Sequence, residues 1–281
     1  MTTLSNLAVV VCHGSYHSPA PYMPLVDALK AAGIDAYCPQ LPTSNLAKLN
    51  VGDVNHPDFD LGPPTGGYPQ GEQDAEVILG ILKPLVEEQG KNVILIGHSS
   101  GGWVATQAAQ KELQAEERAR NKLSGGIIGV LYVGAFIIPV GESIHSYFQP
   151  KDGSALVPPF MKFHKHGMDG LGTMVKPETF LFGDVDADTA QKYVPTLTAC
   201  PILTSKLTND NVYSELPCAY LVLDADMTLP KEYQEGMVAA QVARSKVPFK
   251  TYHSPSGHSP HVSWTEGMVD VVQDFSKSVT A

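Results

Sequence analysis

Ten consecutive residues, Val93-Ile94-Leu95-Ile96-Gly97-His98-Ser99-Ser100-Gly101-Gly102, restrict the fold more than any other part of this chain. Four apolar residues, three of them β-branched, run into Gly-His-Ser-Ser-Gly, and a helical pattern opens near Trp103. The pattern predicts a strand, a sharp turn and a helix. In a Gly-x-Ser-x-Gly turn the serine stands at the tip in a strained backbone conformation, and Gly97 and Gly101 are needed because a Cβ there would clash as strand and helix close. Ser99 is therefore expected at the carboxyl edge of a sheet, with the Ser100 amide at the start of a helix. A serine that only caps the helix would produce the same local pattern, so the rest of the chain has to decide.

The chain around this turn reads as alternating strands and helices. Leu7 to Cys12 is a continuous apolar run, as in a parallel strand covered on both faces. A helix from Pro21, with Tyr22, Leu25, Val26 and Leu29 at helical spacing, and a strand over Ile34 to Cys38 complete a βαβ unit. Asn50 to Gln70, dense in Gly and Pro, is expected as a long surface loop with few apolar anchors. A helix through Val77, Ile78, Ile81, Leu82 and Leu85 should bend or shorten at Pro84. After the turn, Trp103 to Leu113 reads as a helix, Glu116 to Lys122 as a solvated charged extension, and Ile127 to Val133 as the next buried strand.

From Ile137 to Leu216 that rhythm stops. This stretch has no strand pattern; only Asp186 to Ala199 looks helical, with Asp186 as its cap and Pro195 as a bend or early stop. Phe148, Phe160, Met161, Phe163, Met168, Met174, Phe180 and Phe182 suit the wall of an apolar pocket, although ordinary packing is expected to take about two thirds of them. The rhythm resumes with strands at Cys218 to Leu223 and Pro248 to Tyr252 and helices at Lys231 to Ala243 and through Met268, Val271, Val272 and Phe275. The expected fold class is α/β, a doubly wound, mostly parallel sheet. Its core is residues 1–136 and 217–281, and a cap of residues 137–216 is inserted after the strand at 127–133.

Composition narrows the setting. A formal net charge of -10 argues against nucleic acid and anionic membrane as partners, and no apolar run approaches a membrane span. Cys12, Cys38, Cys200 and Cys218 show neither a Cys-x-x-Cys pair nor zinc spacing, so buried reduced thiols, no metal and no cofactor are expected. The N-terminus has no basic region before the first strand, and a cytoplasmic protein is the expectation. Oligomeric state is open, and a homodimer is compatible with the sequence.

A serine hydroxyl needs a base, a group that orients the base, and donors for an oxyanion. His258, in the loop after the last strand, is the preferred base over His253 and His261. Asp226 is preferred over Asp224 as the acid because it lies farther past its strand, where the chain turns; a carboxylate placed for a helix dipole is the bland alternative. The oxyanion donors are assigned to the amides of Ser100 and Ser15, with Gly14 allowing close approach. Gly14, His17, Trp103 and Phe136 are the candidate substrate contacts.

These residues carry a resemblance. The order Ser99, Asp226, His258, the His13-Gly14 turn and the Gly97 to Gly102 turn resemble the α/β-hydrolase family. Tyr220-Leu221-Val222-Leu223 running to Asp226 and Leu229-Pro230, Phe182-Gly183-Asp184, and Gly257-His258-Ser259-Pro260 are similar to its plant esterase and hydroxynitrile lyase branch and microbial relatives. Lyases of that branch carry a lysine where Ser259 stands and a hydroxyl residue where Gly14 stands, so the resemblance implies ester cleavage rather than lyase chemistry. Ser18-Pro19-Ala20 also departs from the branch, and Ser99 excludes the aspartate-nucleophile members of the wider α/β-hydrolase family. The expected activity is hydrolysis of a carboxylic ester, lactone or thioester of a small apolar molecule. The rival readings are a cofactor-independent lyase or biosynthetic enzyme with His258 as base, and a ligand receptor on the same fold.

Overall fold

Nine strands and eleven α-helices are found in the computed structural model, which describes residues 6–150, 152 and 156–279. The first half runs β1 (Leu7–Cys12), α1 (Met23–Ala31), β2 (Asp35–Tyr37), α2 (Gly71–Lys83), β3 (Asn92–His98), α3 (Gly101–Ala108), α4 (Ala115–Arg120) and β4 (Gly126–Val133). An insert follows, with α5 (Ile144–Phe148), β5 (Met161–Phe163), β6 (Leu171–Met174), α6 (Pro177–Phe180), α7 (Ala187–Tyr193), β7 (Cys200–Pro201) and α8 (Val212–Glu215). The chain ends with β8 (Cys218–Leu223), α9 (Lys231–Ser245), β9 (Lys250–Ser254), α10 (Pro260–Ser263) and α11 (Thr265–Val279).

Six strands form one sheet in the order β2-β1-β3-β4-β8-β9, every pair parallel. Alternating side chains of the four inner strands β1, β3, β4 and β8 bury against helices on opposite faces, which is why these strands read as apolar runs, whereas the edge strands β2 and β9 are partly exposed. Ala8, Val10 and Cys12 of β1 pack with Ile78 and Leu82 of α2 and Val104 of α3. Leu7, Val9 and Val11 pack with Leu25 and Leu29 of α1 and Val272 and Phe275 of α11. The strand order reverses between β1 and β3, so the loops leaving their carboxyl ends diverge and open a crevice between them. That crevice holds Ser15 and Ser99.

Pro84 acts as expected: α2 ends at Lys83, and Pro84–Glu88 continues as a π-helical turn. Three expectations are corrected. The helix after the turn stops at Ala108 rather than Leu113, because the Asn209 amide donates to the carbonyls of Thr106 (2.8 Å) and Ala109 (3.1 Å) and Gln114 also donates to Ala109. The charged run that follows is not wholly solvated. Arg118 is 6% exposed, and its guanidinium donates to the carbonyls of Ser124, Gly125 and Val86, tying the entry of β4 to the end of α2's π-turn. The insert does contain strands: β5, β6 and β7 make a small antiparallel sheet.

The long loop is also better anchored than its composition suggested. Leu49 and Val51 are fully buried with Leu171 and Ala199 of the insert, and Phe59 and Tyr68 pack against them. The ends of the insert join the main core through Ile137, Ile138, Leu207, Val212 and Tyr213. The four cysteines are free. Among the described residues no helix is long and apolar enough to cross a membrane.

Candidate active site

Ser99 has φ +53°, the left-handed conformation that costs a residue with a Cβ about 1–2 kcal/mol. Its neighbours show why the turn is this tight. A Cβ at Gly101 would lie 2.0 Å from the Cys12 carbonyl oxygen, and one at Gly97 would lie 2.7 Å from the Gly102 Cα. Glycine therefore lets β3 and α3 close on each other and on the end of β1. The Ser99 carbonyl accepts from Phe136 and Gly102 N–H (3.0 Å each), which fixes the turn against the end of β4.

The base and acid candidates lie together. His258 Nδ1 and Asp226 Oδ2 are 2.7 Å apart, with both side chains withdrawn from solvent. Asp226 Oδ1 accepts the N–H groups of Thr228 and Leu229 (2.8 Å each), and Gln234 Nε2 donates to Oδ2 (3.4 Å). The carboxylate is thus held by donors on both oxygens, in the turn where β8 has ended. The two rivals pair with each other instead: His253 Nδ1 and Asp224 Oδ1 are 3.2 Å apart on the surface, and Lys231 lies 2.6 Å from the same carboxylate. Lys231 first, and then His253, hold the Asp224 carboxyl below the usual carboxylate range. His261 is buried and stacks on the Tyr22 ring at 3.9 Å, with no carboxylate partner among the described residues.

Asp184, from the insert's Phe182-Gly183-Asp184, accepts the Gly257 N–H at 2.7 Å and so steadies the loop that carries His258. Thr228, beside Asp226, donates its hydroxyl to the Phe180 carbonyl (2.7 Å). Both loops of the base-acid pair are therefore tied to the insert.

Ser99 and His258 line one cavity of about 370 Å³. No hydrogen bond joins the Ser99 hydroxyl to the His258 ring among the described residues. Such contacts are often long before substrate arrives. Among the described residues no Lys, Arg, Asp or Glu lines the cavity. Of the four candidate substrate contacts, His17 and Phe136 line it; Gly14 and Trp103 do not. Gly14 instead backs the serine: a Cβ there would stand 2.9 Å from the Ser99 Cβ. Trp103 is buried against α2, where a Cβ on Gly71 would meet its ring at 2.5 Å, and it borders a separate small cavity with Thr43 and Asp74.

The two residues expected to supply oxyanion donors, Ser15 and Ser100, are bonded to each other. The Ser15 N–H donates to the Ser100 hydroxyl oxygen at 2.7 Å, and the Ser15 hydroxyl donates to the same atom at 2.9 Å. The Ser100 N–H has no partner among the described residues.

Of the insert residues singled out by composition, Phe148, Phe160, Met161, Phe163, Met168 and Met174 line the cavity, while Phe180 and Phe182 do not. Packing alone therefore claims fewer of them than expected. Sequence reasoning missed Met227, Leu229 and Tyr233 on the opposite wall, although their place directly after Asp226 was a usable signal. It also missed that His13, His17, His98 and His261 gather in one buried cluster beside the site. Burial lowers the His13 pKa to about 4 and the His17 pKa to about 3, and burial with neighbouring histidines holds His98 and His261 well below the ordinary value. Among the described residues no three His, Cys, Asp or Glu side chains converge as a metal site.

A model of the alpha/beta hydrolase family matches residues 9–271. The chain belongs to that family. A curated relative, the alpha/beta hydrolase nvfD of Aspergillus novofumigatus, is 22% identical over 268 residues, covering 95% of each chain. Among solved structures, a pyrethroid hydrolase from Sphingobium faniae JZ-2 superposes with a TM-score of 0.68 at 18% identity, over 97% of each chain. A methylesterase from Arabidopsis gives 0.62 at 18% identity, over 95% of this chain and 98% of its own. Methylketone synthase I of tomato, in complex with 2-tridecanone, gives 0.67 at 11% identity, over 98% and 99%. At these identities the likeness is one of fold.

Proposed function

We propose that this alpha/beta hydrolase cleaves a carboxylic ester, or a lactone or thioester, of an uncharged apolar molecule through Ser99, His258 and Asp226. The observation that carries the reading is the buried 2.7 Å pairing of His258 Nδ1 with Asp226, in one apolar cavity with a strained Ser99. In the first step Ser99 Oγ bonds to the carbonyl carbon, and its proton passes to His258 Nε2. Asp226 holds the ring so that Nε2 is the free nitrogen and stabilises the imidazolium. The carbonyl electron pair moves onto oxygen, which the Ser100 and Ser15 N–H groups stabilise. Collapse breaks the bond to the leaving alcohol, which takes the proton from His258. Water repeats the sequence on the acyl-enzyme, releasing the acid and restoring Ser99. Residues 137–216 act as a cap over the sheet edge, completing an apolar wall that excludes water.

The activities for which the pyrethroid hydrolase and the methylesterase are named agree with ester-type chemistry on this fold. The test is turnover of a p-nitrophenyl ester series together with mass spectrometry of the protein after a fluorophosphonate probe. The adduct is expected on Ser99, with loss of both adduct and turnover in Ser99→Ala. A Ser99→Ala variant that keeps turnover while His258→Ala loses it would instead favour a reaction in which His258 alone is the base. The Ser100 hydroxyl on the Ser15 amide is the observation that keeps this second reading in the test.

A further inference from the structure

His98, the residue before the proposed nucleophile, is buried and uses both ring nitrogens. Its Nε2 lies 2.8 Å from the backbone carbonyl oxygen of His258. A carbonyl only accepts, so Nε2 carries the proton and Nδ1 is bare. The Tyr22 hydroxyl, 2.6 Å from Nδ1, is therefore the donor there, and its oxygen accepts the Gly14 N–H at 3.0 Å. The result is a one-way chain from Gly14 N–H to the Tyr22 hydroxyl, to His98, to the His258 carbonyl. Each bond in such a chain polarises the next. The ring is also gripped from the sides, its centroid 4.8 Å from that of His258 and 5.0 Å from that of His261, while His261 stacks on Tyr22.

Three pieces of the site meet at this chain. Ser99 is covalently next to His98, His258 hangs from the carbonyl that His98 holds, and Ser15 follows the Gly14 whose amide Tyr22 holds. We propose that His98 and Tyr22 are positioning residues that lock the base loop and the oxyanion turn into register with the nucleophile. A buried apolar residue at 98 would fill the space and hold none of these groups. This inference rests on the serine-hydrolase reading above only for its kinetic readout.

A displacement of about 1 Å at a reacting group costs on the order of 10²-fold in rate. His98→Leu is therefore expected to lower kcat by about that factor with KM within about twofold. His98→Gln, whose amide N–H can reach the His258 carbonyl, is expected to recover at least about tenfold of the loss. Tyr22→Phe, which removes one hydroxyl and keeps the ring that stacks on His261, is expected to lose kcat by about tenfold. The proton on His258 Nδ1, followed by NMR at low field, should shift in His98→Leu and return towards its wild-type position in His98→Gln. A folded His98→Leu with kcat within threefold of wild type, or a Gln variant no better than Leu, overturns the proposal. Should His98→Leu fail to fold, an unchanged kcat in Tyr22→Phe overturns it. Should the wild-type protein turn over no ester and take no adduct on Ser99, the functional reading fails, and the Nδ1 resonance alone decides this inference: no shift in His98→Leu overturns it.

Discussion

The Ser15 amide and the Ser100 hydroxyl are bonded to each other at 2.7 Å, so the residue after the nucleophile occupies one of the two donors assigned to the oxyanion. A substrate carbonyl has to displace that hydroxyl to be held by both amides. Ser100→Ala removes the competitor and keeps the backbone N–H of residue 100. With a net hydrogen bond worth about 1 kcal/mol, kcat/KM is expected to rise by roughly fivefold. Steady-state kinetics together with the affinity of a boronic acid inhibitor check it. A fall in both would show that the Ser100 hydroxyl contributes to the transition state instead.

Asp226 and Asp224 are separated by one residue but face different worlds, one closed in with His258 and the other on the surface with His253 and Lys231. Asp226→Asn keeps the shape and loses the charge and tautomer control, and a loss of about 10⁴-fold in kcat is expected. Asp224→Asn should leave kcat within about twofold, since a surface ion pair is worth about 0–1 kcal/mol. Measuring both variants against one ester decides which carboxylate orients the base.

How much of this was readable follows from the range of each interaction. The buried parallel strands and the Ser99 turn announce themselves because their signals lie within ten residues of sequence. Loop order with the residues around them, Gly257 and Pro260 beside His258 and the turn beyond β8 at Asp226, was enough to favour the pair that the fold brings to 2.7 Å. What escaped was tertiary. Trp103 reads the same whether it faces the cavity or α2. Arg118 sits in a run of charges and gives no sign that its guanidinium will serve the carbonyls of Ser124 and Gly125. Strands β5 to β7 are two to four residues long, too short to show alternation. The Tyr22 hydroxyl meets His98 across 76 residues of chain, and Tyr22 read only as an apolar position of a helix.

The buried histidines make stability depend on pH. His13 and His17 have folded pKa values lowered by burial to about 4 and about 3, below the ordinary value of 6.5, and His98 and His261 shift the same way. The unfolded chain therefore binds more protons once pH falls below about 6.5, and stability falls with it until the folded pKa values are reached. Asp74 acts in the opposite sense. Burial raises its pKa to about 7, so its contribution is full below the unfolded carboxylate value and is lost as pH rises towards 7. Four groups outweigh one, and net destabilisation is expected between about pH 6.5 and 4. Urea titrations across that range should show a shallower slope in His17→Gln and a steeper one in Asp74→Asn, where the compensating carboxyl is gone.

Trp103 offers the sharpest check on the shape of the cavity. Its ring is buried, and its Nε1–H has no partner among the described residues. Leaving a buried donor unpaired costs about 1–3 kcal/mol, which offsets part of what the large ring contributes by packing. Trp103→Phe removes that donor and keeps an aromatic ring against Gly71. Kinetics are expected to be unchanged, with KM within about twofold, because the ring lies outside the cavity that holds Ser99. The removed donor and the space left by the smaller ring oppose each other, so stability in urea is expected within about 1 kcal/mol of wild type. A large rise in KM with stability unchanged would return Trp103 to the substrate wall.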